Sequence, residues 1–153
     1  MKKLTEAAVN FFRSQGFVVV STVDKGGSVH NSCKGIVKIS RFGKAYLFDL
    51  YRRDTYRNLK RNPRISITAV NEHKFTGYCL KGKAGILAKG KLSPALASAW
   101  DARIAGRVTQ RLLRNVRDEK GHPRHPEILL PEPEYLIEME IEEVVDLTPR
   151  YLK

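Results

Sequence analysis

The sequence predicts a mainly β protein with flanking helices, an α+β fold of six or so strands, mainly antiparallel, closed into a barrel. Three observations predict it. Between Phe17 and Leu87, short runs of β-forming residues follow one another, separated by tight turns and one short polar helix. Sequential strands joined in this way pair antiparallel. The longest run carries several glycines, which permit the bends and close backbone approach that barrels require. Closure into a barrel also removes exposed sheet edges.

Leu4, Ala7, Ala8, Phe11 and Phe12 recur at helical spacing with Gly16 as a stop, so a helix is expected over about residues 3–15. Phe17 to Thr22 is the first strand. Asp24-Lys25-Gly26-Gly27 is hairpin chemistry, because glycine supplies the positive φ such turns need. A second strand is expected from about Ser28 to Ile39, and Ser40 to Lys44 turn the chain into a third, Ala45 to Leu50. Thr55 to Arg61 reads as a short helix with Leu59 inward; Asn62-Pro63 ends it, since the residue before proline avoids helical geometry. Ile65, Ile67 and Ala69 alternate with Ser66, Thr68 and Val70 in a fourth strand, and Phe75 to Lys89 form the long fifth.

Ser93-Pro94 then opens a helix over about residues 93–116, with Ser at the cap and Pro at the first helical position. Leu96, Trp100, Ile104, Val108 and Leu112 form one apolar stripe; Arg103, Arg107, Arg111 and Arg114 lie on another face. A polar loop follows, and the sixth strand begins near Glu134 with Tyr135, Ile137, Met139 and Ile141 on one side. Neither an internal repeat nor a linker divides the chain, so residues 1–153 are read as a single domain with the helix at about 93–116 inserted before the last strand.

The composition narrows the function class without naming it. A chain of 153 residues with 42% hydrophobic and 29% charged residues matches an ordinary globular domain. No apolar run approaches the ~20 residues that span a bilayer. The N-terminal stretch is amphipathic and unlike a signal peptide, so no membrane partner and a cytoplasmic location are expected. Two cysteines, Cys33 and Cys79, make neither a disulfide framework nor a zinc-ligand spacing. Net charge is +12, yet Leu129 to Thr148 hold seven acidic residues and no Lys or Arg. The basic remainder favours anionic partners in general, whether nucleotides, phosphates or nucleic acid.

The segment from Asp54 to Arg64 places that charge where it matters. It is a cationic helical turn wedged between strands. Backbone N–H groups at a helix start and nearby guanidinium groups both favour a phosphate there.

The order of elements and several motifs resemble one family. Phe17-Val-Val-Val-Ser-Thr-Val-Asp-Lys-Gly-Gly resembles the first hairpin of the pyridoxamine 5′-phosphate oxidase-like, FMN-binding split-barrel proteins. Arg57-Asn-Leu-Lys-Arg-Asn-Pro-Arg-Ile-Ser-Ile resembles their most recognisable stretch, and Leu80-Lys-Gly-Lys-Ala-Gly-Ile-Leu the strand after it. The resemblance covers about residues 4–90, with a looser match of the final strand. It implies a six-stranded antiparallel split β-barrel, a homodimer with FMN between the subunits, and an oxidoreductase acting on a small-molecule substrate or electron donor. It places Asn31, Ser32 and Cys33 of the second strand, and Phe48 and Asp49 of the third, beside the flavin. It places Arg53, Asp54 and Thr55 at the phosphate turn. A cofactor-holding module without catalysis, carrying flavin, deazaflavin or haem, is the alternative; a basic nucleic-acid-binding barrel is disfavoured.

The chain departs from the family pattern at Asp54, where Lys or Arg is common; pairing with Arg52 or Arg57 is the expected reason. Ser32 and Val37 stand where pyridoxamine phosphate oxidases use Arg and Lys, and their C-terminal Trp and Arg-x-His signature is absent. No Ser-His-Asp or Cys-His arrangement stands out, so the catalytic residues are unknown and chemistry would rest with the cofactor. Backbone N–H groups of the second strand, or Lys34, are candidates to stabilise charge developing on a flavin. His122 and His125 are read as surface loop, and no metal site is expected. Trp100 is read as packing and His30 as an ordinary strand residue.

Overall fold

The computed structural model describes residues 1–117 and 133–152. Helix α1 (Glu6–Ser14) starts at Thr5, whose hydroxyl accepts the Ala8 N–H at 3.2 Å, and it buries Ala8, Val9 and Phe12. The strands are β1 (Val18–Val23), β2 (Val29–Lys34), β3 (Ile36–Ile39), β4 (Lys44–Phe48), β5 (Arg64–Asn71), β6 (Thr76–Ala88) and β7 (Tyr135–Asp146). Helix α2 (Asp54–Arg61) joins β4 to β5, and α3 (Pro94–Val116) follows β6.

Every strand pairing is antiparallel, in the order β2-β1-β5-β6-β7-β4-β3. The split barrel is thus as expected, but with seven strands among the described residues in place of six. The extra strand comes from a break at Gly35 in the run expected to be continuous from Ser28 to Ile39. Its first half pairs with β1 and its second with β4, so one residue joins the two ends of the sheet. The sheet must therefore curl back on itself. Only glycine fits there: a Cβ on Gly35 would lie 2.0 Å from the Phe48 ring, and the Phe48 N–H donates to the Gly35 carbonyl at 3.2 Å.

The barrel interior holds Phe12, Val20, Leu47, Ile67, Leu80, Ile137, Met139 and Ile141, all fully buried. A second apolar cluster under α3 contains Val37, Phe48, Leu96, Trp100 and Leu136. The α3 stripe fades along the helix: Leu96 and Trp100 are buried, whereas Leu112 is exposed. Part of the arginine face also has a packing role. Arg103 donates to the Arg13 and Gln15 carbonyls, and Arg107 lies over the Phe17 ring at 4.1 Å. These guanidinium groups satisfy and complement the C-terminal end of α1.

Candidate functional site

The turn between β4 and α2 is assembled from three distant parts of the chain. Asp49 follows β4 and is buried. Lys34, the last residue of β2, donates to Asp49 Oδ1 at 2.8 Å, and Tyr135, the first residue of β7, donates from Oη to Asp49 Oδ2 at 2.8 Å. Both carboxylate oxygens are thereby engaged, as a buried charge requires. Burial, and then the bond to Asp49, push the Tyr135 hydroxyl well above the ordinary tyrosine range. Its oxygen in turn accepts the Arg52 N–H at 3.2 Å.

Arg52 has φ +41°, in the left-handed region that a bulky residue rarely occupies. Its guanidinium reaches Glu134 at 2.7 Å and lies over the rings of Tyr56 and Tyr135, 5.9 and 5.6 Å from their centroids. The two tyrosines meet edge to face at 5.1 Å. Arg52 therefore turns the chain into α2 under several restraints.

Helix α2 begins at Arg53, whose side chain makes no capping bond and instead lies over the Tyr51 ring at 5.7 Å. The first N–H groups of α2 thus lack the side-chain cap that usually meets them. Asp54 accepts a bond from Arg57 at 2.7 Å, and that bond, with the Arg57 charge behind it, holds the Asp54 carboxyl below its ordinary range. His30 and Arg53 lie close enough to act on it in the same direction. Thr55 is buried, and its hydroxyl is 3.0 Å from that of Ser32 on β2. Asn58 continues this face of the helix with a bond to Thr22 at 3.0 Å.

Of the residues singled out in the sequence, Ser32 and Thr55 meet directly, and Arg53 and Asp54 flank them. Asp49 is tied to the same strand through Lys34. Asn31 and Cys33 face the other way, because strand side chains alternate. They are exposed beside Ser21 and Val19 of β1. With Val29, Val23, Ser66, Thr68 and Val70 they share one sheet face, on which Val19, Val29 and Val70 are exposed and to which Arg64 and, across from Ser66, Lys81 add charge. Phe48 packs against Trp100 at 5.0 Å in the second core cluster, which is also the role expected for Trp100. Lys34, considered above as a donor to a flavin, spends its ammonium on Asp49.

Tyr135 was not singled out, and no local signal marks it: it lies 86 residues from Asp49. His122 and His125 fall outside the described residues. Among the described residues, no group of three His, Cys, Asp or Glu side chains is placed to hold a metal ion. No described helix is long and apolar enough to cross a membrane.

A family model described as pyridoxamine 5′-phosphate oxidase matches residues 4–144. No curated protein sequence matches the chain. Similar solved structures include the HupZ protein of Group A Streptococcus, with 17% identity, TM-score 0.64 and coverage of 95% of this chain and 94% of that one. A Clostridium acetobutylicum protein related to general stress protein 26, of the pyridoxinephosphate oxidase family, has 16% identity, TM-score 0.58 and 96% coverage of both chains. A structure named F420 reductase has 13% identity, TM-score 0.52 and coverage of 84% of this chain and 88% of that one. At these identities the likeness is one of fold.

Proposed function

The chain belongs to the pyridoxamine 5′-phosphate oxidase family, and from that premise we propose that it is a homodimeric, cytoplasmic FMN-binding flavoprotein, an oxidoreductase acting on a small molecule. The observation that carries this reading is the start of α2. Its N–H groups have no side-chain cap, the Arg53 and Arg57 guanidinium groups flank them, and the Ser32–Thr55 pair at 3.0 Å anchors the helix to β2. Such a helix start, set among cations, suits a phosphate monoester.

These residues fit FMN. Arg53, Thr55 and the first-turn N–H groups of α2 would hold its phosphate. Asn31 and Cys33, on the sheet face that exposes Val19 and Val29, would meet the rest of the ligand once a second copy covers that face. Asp49 acts indirectly, through Lys34 and Tyr135. FMN supplies two-electron chemistry when bound; the chain's own part is to bind, orient and shield it. Exposed Val19, Val29 and Val70 on one face of β1, β2 and β5 support self-association, because a second copy laid on them removes apolar surface from water.

A deazaflavin carrier is the second reading, supported by the fold shared with the F420 reductase. The visible spectrum of the purified protein tests both. Flavin bands, with FMN released on denaturation, support the first; deazaflavin uptake without FMN uptake supports the second. A colourless protein that takes up neither, and haem bands, each reject both. Bleaching of bound flavin by NADH or NADPH separates an enzyme from a passive carrier.

A further inference from the structure

We propose that Tyr135 is a positioning residue for the β4–α2 turn: with Asp49 and Lys34 it holds Arg52 in its left-handed conformation and so presets the α2 start for an anionic ligand. This deepens the reading above and rests on it.

The geometry forms a closed circuit. The Tyr135 hydroxyl accepts the Arg52 N–H at 3.2 Å and donates to Asp49 at 2.8 Å, so one oxygen spans the turn on both sides of Leu50 and Tyr51. Lys34 fixes the other oxygen of Asp49 at 2.8 Å. Two residues earlier on the same strand, Ser32 meets Thr55 at 3.0 Å. One strand therefore reaches the turn at both ends, at Asp49 before it and at Thr55 after it, and Tyr135 closes the middle.

Such a brace is needed because Arg52 at φ +41° is unfavourable for a side chain with a Cβ and persists only where its surroundings over-determine it. The ion pair of Arg52 with Glu134 joins exposed side chains and contributes little by itself. The partly buried bond from Arg52 N–H to Tyr135 is the stronger restraint, because it acts on the backbone at the strained residue. Released, the turn would relax toward an ordinary φ and carry Arg53 and the first N–H groups of α2 with it.

The test uses the full chain and FMN as the probe. Tyr135→Phe keeps the ring against Tyr56 and Arg52 and removes the hydroxyl. Amide exchange in the peptide containing Arg52 and Arg53 is expected to speed up about tenfold while β5 and β6 stay protected. FMN affinity is expected to fall about tenfold. The same substitution made on Arg52→Asn, where asparagine tolerates the left-handed region, is expected to cost much less affinity. A general packing role would instead lower stability equally in both backgrounds. Unchanged exchange at Arg52 in Tyr135→Phe overturns the proposal, and so does an equal loss of affinity in both backgrounds. If the wild type takes up no FMN, the cofactor reading fails, and the exchange measurement still decides whether Tyr135 holds the turn.

Discussion

Asp54 and Arg57 form an ion pair at 2.7 Å within the first turn of α2, and Arg52 is committed elsewhere, to Glu134. The acid that departs from the family pattern is thus compensated by a guanidinium one helical turn on. Asp54 then orients Arg57 instead of facing a phosphate unpaired. Asp54→Asn is expected to loosen FMN binding by about fivefold or less, as suits an exposed pair, and the loss shrinks as salt rises. FMN titrations of both proteins at two salt concentrations check this; tighter binding in the variant rejects it.

Arg53 and Thr55 carry the phosphate reading. Arg53→Ala or Thr55→Val should weaken FMN binding about ten- to a hundredfold, the loss of one charge-assisted hydrogen bond. Thr55→Ser keeps the hydroxyl and should retain most of the affinity. Lys25→Ala, in the β1–β2 turn, serves as the control. Equal losses in all four variants would place the phosphate elsewhere.

The face of β2, β1 and β5 that exposes Val19, Val29 and Val70 is the expected dimer surface. Sedimentation of the wild type at micromolar concentration should give twice the 17.4 kDa chain mass. Val19→Lys puts a charge between Cys33 and Thr68, in the middle of that face. It should yield monomer with an unchanged fold by circular dichroism. A wild type sedimenting only at the chain mass sinks the dimer.

Gly35→Ala should destabilise the barrel by about 1–3 kcal/mol, because its methyl must displace a Phe48 ring already packed on Trp100. Denaturant midpoints measure the loss. An unaltered midpoint would mean that the strand break has another cause.

Glu138 offers a pH test. Burial raises its carboxyl, but bonds from Lys44 and Tyr46, both 3.0 Å, outweigh that and hold it below the ordinary range. A depressed folded value means that the carboxylate stabilises the fold above the unfolded value, and that this is lost as pH falls through the folded one. Glu138→Gln should therefore be less stable than wild type at pH 7, by roughly 1 kcal/mol for this partly exposed pair. The gap should close below about pH 4. A gap independent of pH would rule out the charge as its source.

Local chemistry was legible in the chain. Ser93-Pro94 starts α3, Asn62-Pro63 ends α2, Gly26-Gly27 turns β1 into β2, and the alternation from Ile65 to Ala69 sets the inner face of β5. Each depends on residues within a few positions of one another, so propensity and spacing suffice. The short helix α2 was legible for the same reason, since Arg53, Asp54, Thr55 and Arg57 are neighbours in sequence. Only the tertiary structure decided the rest. At Gly35, where the run breaks, the room for a side chain is taken by the distant Phe48 ring. Asp49 and Lys34 are 15 residues apart, and Asp49 and Tyr135 86 apart, so no local pattern records that they meet. A buried charge takes whichever partner the closed barrel brings within reach, and that is settled only when β2, β4 and β7 converge.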